Sequence, residues 1–418
     1  MSEGADGADE DWRYAPVTTL EGLLQRGRGL GAILAADDPQ APGLVYACIR
    51  RDCRWDTLVD ERHHYLARLV RDLELPLAPV TALLEGGPVE HESASEVLRL
   101  HALAGSGEAR EALRAYIRDG ERWMSVLESV AGSWPVADWD DLLEPVRARL
   151  VGEEPELLGQ EPWLRWRDQL GLIAPPTVGR KPDALAGLDT GPLLALIADP
   201  GTSEGDRSDA LWSLARRSPR PSPGSLAPLL ALVPSLGARD GREISGLRRA
   251  VTLLGATAVP AARDWAGSGE RWLTALALDV LAEHGELQDL PLLLAEFQAL
   301  RSRHEWCGYK DLALALARFG PAAAEAVPLL RLLWLRNPHS YERASYMTAL
   351  AAIDPSGLDQ VYVQSLWDCE FRRPAARRRL GAGRAAGPRA TGRPAGRPDR
   401  VPGGQGRRRG TAGGPELT

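Results

Sequence analysis

Cys48 and Cys53, spaced Cys-x4-Cys and followed by His63-His64, form a grouping of soft metal donors. Thiolate and imidazole are the usual ligands of tetrahedral zinc, but zinc knuckles place their cysteines two residues apart. Helix periodicity also sets Cys48 on an apolar stripe, so we read it as a core residue and expect no metal. The carboxylate pairs Asp140-Asp141 and Glu153-Glu154 have the residue types of general acid–base chemistry. They read more simply as solvated faces and charges at helix N-termini. The other histidines stand singly along the chain. No glycine-rich phosphate loop, dinucleotide fingerprint, His-Glu-x-x-His or nucleophile elbow occurs. We therefore expect no catalytic residue, no cofactor and no enzyme activity.

Tryptophan is the more informative residue type, with 13 in the chain. Trp163 and Trp166 lie in Glu-Pro-Trp-Leu-Arg-Trp-Arg, three apart on one helical face. They can brace the junction before a linker or form an exposed patch, and junction packing is the simpler reading. Trp212, Trp272 and Trp306 sit among apolar neighbours and are expected in the core. Trp334 stands beside Arg331 and Arg336, the types that anchor protein interfaces. Packing against the next structural unit is its plainer role. The candidate partner-binding residues are thus Trp334, Arg331, Trp163 and Trp166.

The elements that must position these residues are clearest between positions 305 and 355. Leu312, Ala315 and Phe319 fall at i, i+3 and i+7, and Ala326, Leu329, Leu330 and Leu333 share one face of a following helix. Gly320-Pro321 separates the two, with glycine supplying a left-handed cap and proline unable to continue the helix. Pro328 sits near the start of the second helix, where its missing N–H costs little. This punctuation recurs. Pro-Leu-Leu starts at Pro192, Pro228, Pro291 and Pro328, with a degenerate Pro-Ala-Ala at Pro260, at intervals of 36, 32, 31 and 37. The breaks ending the preceding helices, at Ser218, Gly255, Gly285, Gly320 and Asp354, recur at 37, 30, 35 and 34. Two markers drifting together at a helix-pair period signal stacked units that bury apolar faces against neighbours.

At Ala313 to Pro321, Ala326-Val-Pro-Leu-Leu330, and Arg343-Ala to Ile353-Asp-Pro355 the chain resembles the HEAT-repeat family, including its short bacterial forms. The resemblance covers 188–368 well and 16–171 weakly. It implies an all-α, right-handed α-solenoid of stacked antiparallel helix hairpins. Such arrays carry no fixed activity, and their second helices line the concave face, which would expose Trp334 there. A bend is expected at Ala256–Gly269, where the second helix is short and interrupted by charge.

The organisation read from the sequence is a disordered start (1–15), divergent helical repeats (16–171), a linker (172–187), a regular array (188–370) and an unusual tail (371–418). Capping boxes are expected at Thr18-x-x-Glu21 and Ser93-x-x-Glu96. One helix is expected from Leu20 to Ala35, and another over 107–119 with Ala109, Leu113, Tyr116 and Ile117 on one face. In the tail, 38 of 48 residues are Arg, Gly, Ala or Pro, and 13 Arg against 2 acidic residues give +11. The overall −7 therefore conceals a body of −18. The tail has no hydrophobic period and is expected to be disordered. It can be a basic extension or an Arg/Gly-rich nucleic-acid binder. We favour a third reading, out-of-frame translation in GC-rich DNA, because the composition changes abruptly after Glu370.

The acidic, polar start is no targeting signal, no apolar run reaches membrane-span length, and four cysteines suit a reducing cytoplasm. The expected function is a non-enzymatic scaffold that binds a basic protein or peptide. Alternatives are a HEAT-like glycosylase or lyase-like protein, or an immunity-type inhibitor of a basic protein. A body of −18 disfavours duplex DNA as its ligand.

Overall fold

The computed structural model describes residues 14–369, apart from 55, 58, 151–154, 156–158, 173–184, 186 and 239. The tail, most of the predicted linker, the first 13 residues and Glu153-Glu154 lie outside the described residues. The described chain is all-α, and its one β feature is an isolated antiparallel bridge between Gly237 and Glu243. None of its helices is long and apolar enough to cross a membrane.

The N-terminal helices are α1 (Leu20–Gln25), α2 (Gly29–Ala35), α3 (Ala41–Arg50), α4 (Arg62–Asp72), α5 (Ala78–Ala82), α6 (Pro88–Leu103), α7 (Gly107–Asp119), α8 (Trp123–Ala131), α9 (Leu143–Arg149) and α10 (Trp163–Leu170). From position 190 onward come α11 (Thr190–Ala198), α12 (Glu204–Arg216), α13 (Pro223–Leu232), α14 (Leu247–Thr252), α15 (Val259–Ala266) and α16 (Arg271–His284). The last are α17 (Leu290–Ser302), α18 (Tyr309–Ala317), α19 (Val327–Arg336), α20 (Arg343–Ile353) and α21 (Asp359–Ser365).

Helices pack on their sequence neighbours and on the next but one. Thus α11 touches α12 and α13, α12 touches α14, and α16, α18 and α20 follow one another, with α17 and α19 against α18 and α20. In the N-terminal half α3 touches α4 and α6, and α7 touches α6, α8 and α9. The apolar stripes explain this arrangement. Leu312 and Ala315 of α18 and Leu329, Leu330 and Leu333 of α19 are buried, as are Ala109, Leu113, Tyr116 and Ile117 of α7. Gly320 has φ +54°, the left-handed conformation its cap requires. Near the expected bend, the chain passes through a 3-10 turn, Gly255–Ala258, into the eight-residue α15.

Three expectations change. The single helix over 20–35 is two, because Gly27 at φ +62° breaks it. The flanking arginines are both buried and leave for different partners. Arg26 donates to the Ala15 carbonyl at 2.6 Å, and Arg28 to that of Asn337. The first cap is Thr19 rather than Thr18, its Oγ1 accepting the Gly22 N–H at 3.1 Å. Ser93 opens no helix. It lies inside α6, whose N-terminus is set by Pro88 in the first turn and by Glu90, which accepts the Gly87 N–H at 2.9 Å.

The apolar residues form two clusters, one from 20 to 172 that also takes Cys369, the other from 185 to 361. They are joined where the last described residues meet the first. Helix α21 lies against α2. Gly29 is so close that a Cβ there would run into the Gln364 carbonyl oxygen. The Cys369 N–H donates to the Gly27 carbonyl at 3.2 Å, Arg68 to that of Trp367, and Tyr65 Oη to that of Arg28 at 2.8 Å. The described ends of the chain therefore touch, and the described residues belong to one compact unit.

Candidate functional site

A polar pocket of about 460 Å³ opens between α4, α6 and α8. Helix periodicity supplies its walls. His91, Glu92, Ser95 and Glu96 are two adjacent i, i+4 rows of α6, and Ser125 and Ser129 are one such row of α8. His63 and His64 come from α4, and Arg54, Asp60 and Glu61 from the segment before it.

The histidines are held by specific partners. His63 Nε2 lies 3.2 Å from Ser93 Oγ. Burial and the nearby Arg54 charge lower its pKa to about 4, so it is neutral at pH 7. His91 Nδ1 faces the Leu84 carbonyl at 2.9 Å, its Nε2 faces Ser125 Oγ at 3.4 Å, and its ring tilts against Tyr116.

The Arg54 guanidinium reaches Asp52 and Glu92, each at 2.7 Å. Burial pushes the Asp52 carboxyl up, but the Arg54 hydrogen bonds outweigh it and hold the group below its ordinary value. Glu96 balances in the same way against Arg99. Asp60 pairs with Arg62, both nearly inaccessible, and burial leaves its carboxyl above the ordinary value. Four carboxylates line the pocket against one arginine. Three of the four, Glu92, Glu96 and Asp60, are already paired with Arg54, Arg99 and Arg62.

The sequence-predicted residues lie elsewhere. Trp163 and Trp166 are fully buried, edge to face with each other. Their indole nitrogens donate to Glu128 at 2.6 Å and Asp140 at 2.9 Å. Burial leaves neither any surface to offer a partner, and they pack in the first apolar cluster. Trp334 is half-buried, with the Arg343 guanidinium 4.2 Å from its ring centroid and Arg343 donating to its carbonyl. It packs against the second apolar cluster, with Arg343 of α20 over its ring. Arg331 is exposed and bonds to Asp354 at 3.1 Å and the Ser356 carbonyl at 2.8 Å. Trp163 and Trp166 lie in the first cluster and Trp334 packs against the second, so the fold does not bring the four together. Trp212, Trp272 and Trp306 are half-buried rather than core, and Trp212 donates to Ser245 Oγ at 3.1 Å.

No family model, no curated protein and no solved structure matches this chain.

Cys48 is buried and hydrogen-bonded to Cys53, whereas His63 turns away to Ser93. Among the described residues no three His, Cys, Asp or Glu are grouped to hold a metal ion. Asp140 and Asp141 are structural. The first receives the Trp166 N–H, and the second pairs with Arg114 at 2.6 Å.

One Cys–His contact was not legible in the sequence. Cys307 Sγ lies 3.0 Å from His339 Nε2, across 32 positions. Burial raises the Cys307 thiol and lowers His339 to about 4, so the pair stays neutral and the thiol is not activated. Beside it Glu342, buried and bonded to Tyr346, is pushed up to about 7 by burial. The pocket's own signal was available but local: His91-Glu92-x-x-Ser95-Glu96 is a polar i, i+4 pattern inside an apolar helix.

Proposed function

We propose that this chain is a non-enzymatic interaction protein that takes a basic protein or peptide. Its helix pairs, in this reading, stack as a right-handed HEAT-like solenoid, and the pocket between α4, α6 and α8 receives a lysine or arginine side chain of the partner. The observation that carries the proposal is the −18 charge of the body, on which the pocket opens beside Glu61 and the largely exposed Glu92. A cation gains there from the long-range field. The neighbour and next-but-one packing of helices supports the stacked architecture. Localisation in a reducing cytoplasm would suit the free cysteines.

The test is binding of a fluorescent Lys/Arg-rich peptide to the full chain by anisotropy. Affinity should fall steeply with salt, and Glu92→Lys, at a largely exposed side chain, should weaken it about tenfold. Salt-independent binding, or binding unchanged by Glu61→Lys and Glu92→Lys together, would remove the pocket from the proposal.

A further inference from the structure

The last described helix, α21, and the turn that follows it present an apolar stripe to solvent. Tyr362, Val363, Leu366 and Trp367 recur at i, i+1, i+4 and i+5 and are 43, 55, 54 and 41 % exposed. Contiguous exposed apolar surface beyond a few hundred Å² is uncommon on a monomer and marks contact sites. The opposite side of the helix is already used against α2. Beyond Glu370 the chain is mostly Arg, Gly, Ala and Pro, with Phe371, Leu380, Val401 and Leu417 as its large apolar residues.

We propose that a second copy of this chain covers α21, its helix antiparallel to the first about a two-fold axis at Val363. Positions 360–367 contain no charged residue, so the stripe adds no like-charge contact of its own to the mutual repulsion of two acidic bodies, and the charges at its ends select this occupant. The ends of the stripe are complementary. Asp359, at the start of the helix, is exposed and has no salt-bridge partner among the described residues. At the other end the Arg68 guanidinium lies 5.2 Å from the Trp367 ring centroid, and no described carboxylate pairs with it. Val363 is midway between 359 and 367, so antiparallel pairing sets each Asp359 opposite the Trp367–Arg68 end of the other copy. A two-fold contact repeats that ion pair twice.

The experiment is sedimentation equilibrium of the full chain at roughly 50 μM, a concentration at which a dimer with a micromolar dissociation constant is populated. A dimer is expected, and Val363→Arg should make it monomeric with an unchanged circular dichroism spectrum. Asp359→Arg and Arg68→Asp should each raise the dissociation constant about tenfold by placing like charges together. An equimolar mixture of these two variants should dimerise again, since every facing pair is then opposite in sign. A monomeric chain, whether its stripe is covered by its own residues 370–418 or by nothing, overturns the proposal. So does a dimer indifferent to Val363→Arg.

Discussion

The Asp368 carboxylate accepts the backbone N–H of Gly29 at 2.6 Å, across 339 positions of sequence. Its other oxygen takes Arg343 Nε at 2.8 Å, with both side chains buried. One carboxylate thus neutralises a cation of α20 and caps the first turn of α2. Because it joins the two halves at their ends, its loss should affect the whole unit rather than a single helix.

Gly29→Ala should be among the most damaging small substitutions. The added Cβ meets the Gln364 backbone oxygen, which cannot rotate away, so α2 and α21 must separate. Overpacking of this kind costs about 1–3 kcal/mol, or more where backbone is the obstacle. Urea denaturation followed by circular dichroism should show a midpoint lowered accordingly. An unchanged midpoint would mean that the two helices are not in contact.

Asp368→Ala should cost about 3–5 kcal/mol, because it leaves Arg343 buried and unpaired beside the Arg28 charge. Asp368→Asn keeps an acceptor for the Gly29 N–H and should cost less. If the two variants unfold at the same denaturant concentration, the Gly29 hydrogen bond contributes nothing measurable.

Trp166→Ala should destabilise by about 3–5 kcal/mol through a cavity at a fully buried site and the loss of its bond to Asp140. Arg331→Ala removes an exposed ion pair and should change stability by about 0–1 kcal/mol. Chemical denaturation of both variants checks the contrast, and similar losses would contradict it.

Stability should depend on pH in two opposing ways. Glu342 titrates at about 7 in the folded chain instead of 4.5. Its contribution is complete below pH 4.5 and is lost as pH rises to about 7, a total on the order of 3 kcal/mol. His63 and His339 are lowered from 6.5 to about 4, so their contributions are complete above pH 6.5 and lost as pH falls to about 4. Glu342→Gln should abolish the first dependence and leave the second. Thermal melts of both proteins from pH 4 to 8 test this. A Tm difference that stays constant between pH 4.5 and 7 would show that Glu342 is not held protonated by burial.

The sequence by itself determined the helices and which of their faces are apolar. The stripes of α7, α18 and α19 and the left-handed glycine at 320 follow from spacing, because side-chain direction repeats every 3.6 residues and needs no distant partner. Local chemistry also left ambiguities. Thr18 and Thr19 are equally good caps on composition, and Ser93-x-x-Glu96 has the pattern of a cap although it lies inside a helix. Only the tertiary structure decided the rest. Trp163 and Trp166 could brace or protrude until Glu128 and Asp140 were seen to take their N–H groups. Nothing near Arg28 in the chain marks it for burial, and the carbonyl that accepts from it belongs to Asn337, 309 positions away. The pocket and the Cys307–His339 contact have the same origin, as side chains from different helices meet only when the helices pack. Periodicity encodes how a segment turns its apolar face inward, but a polar group's partner is set by which segments then become neighbours.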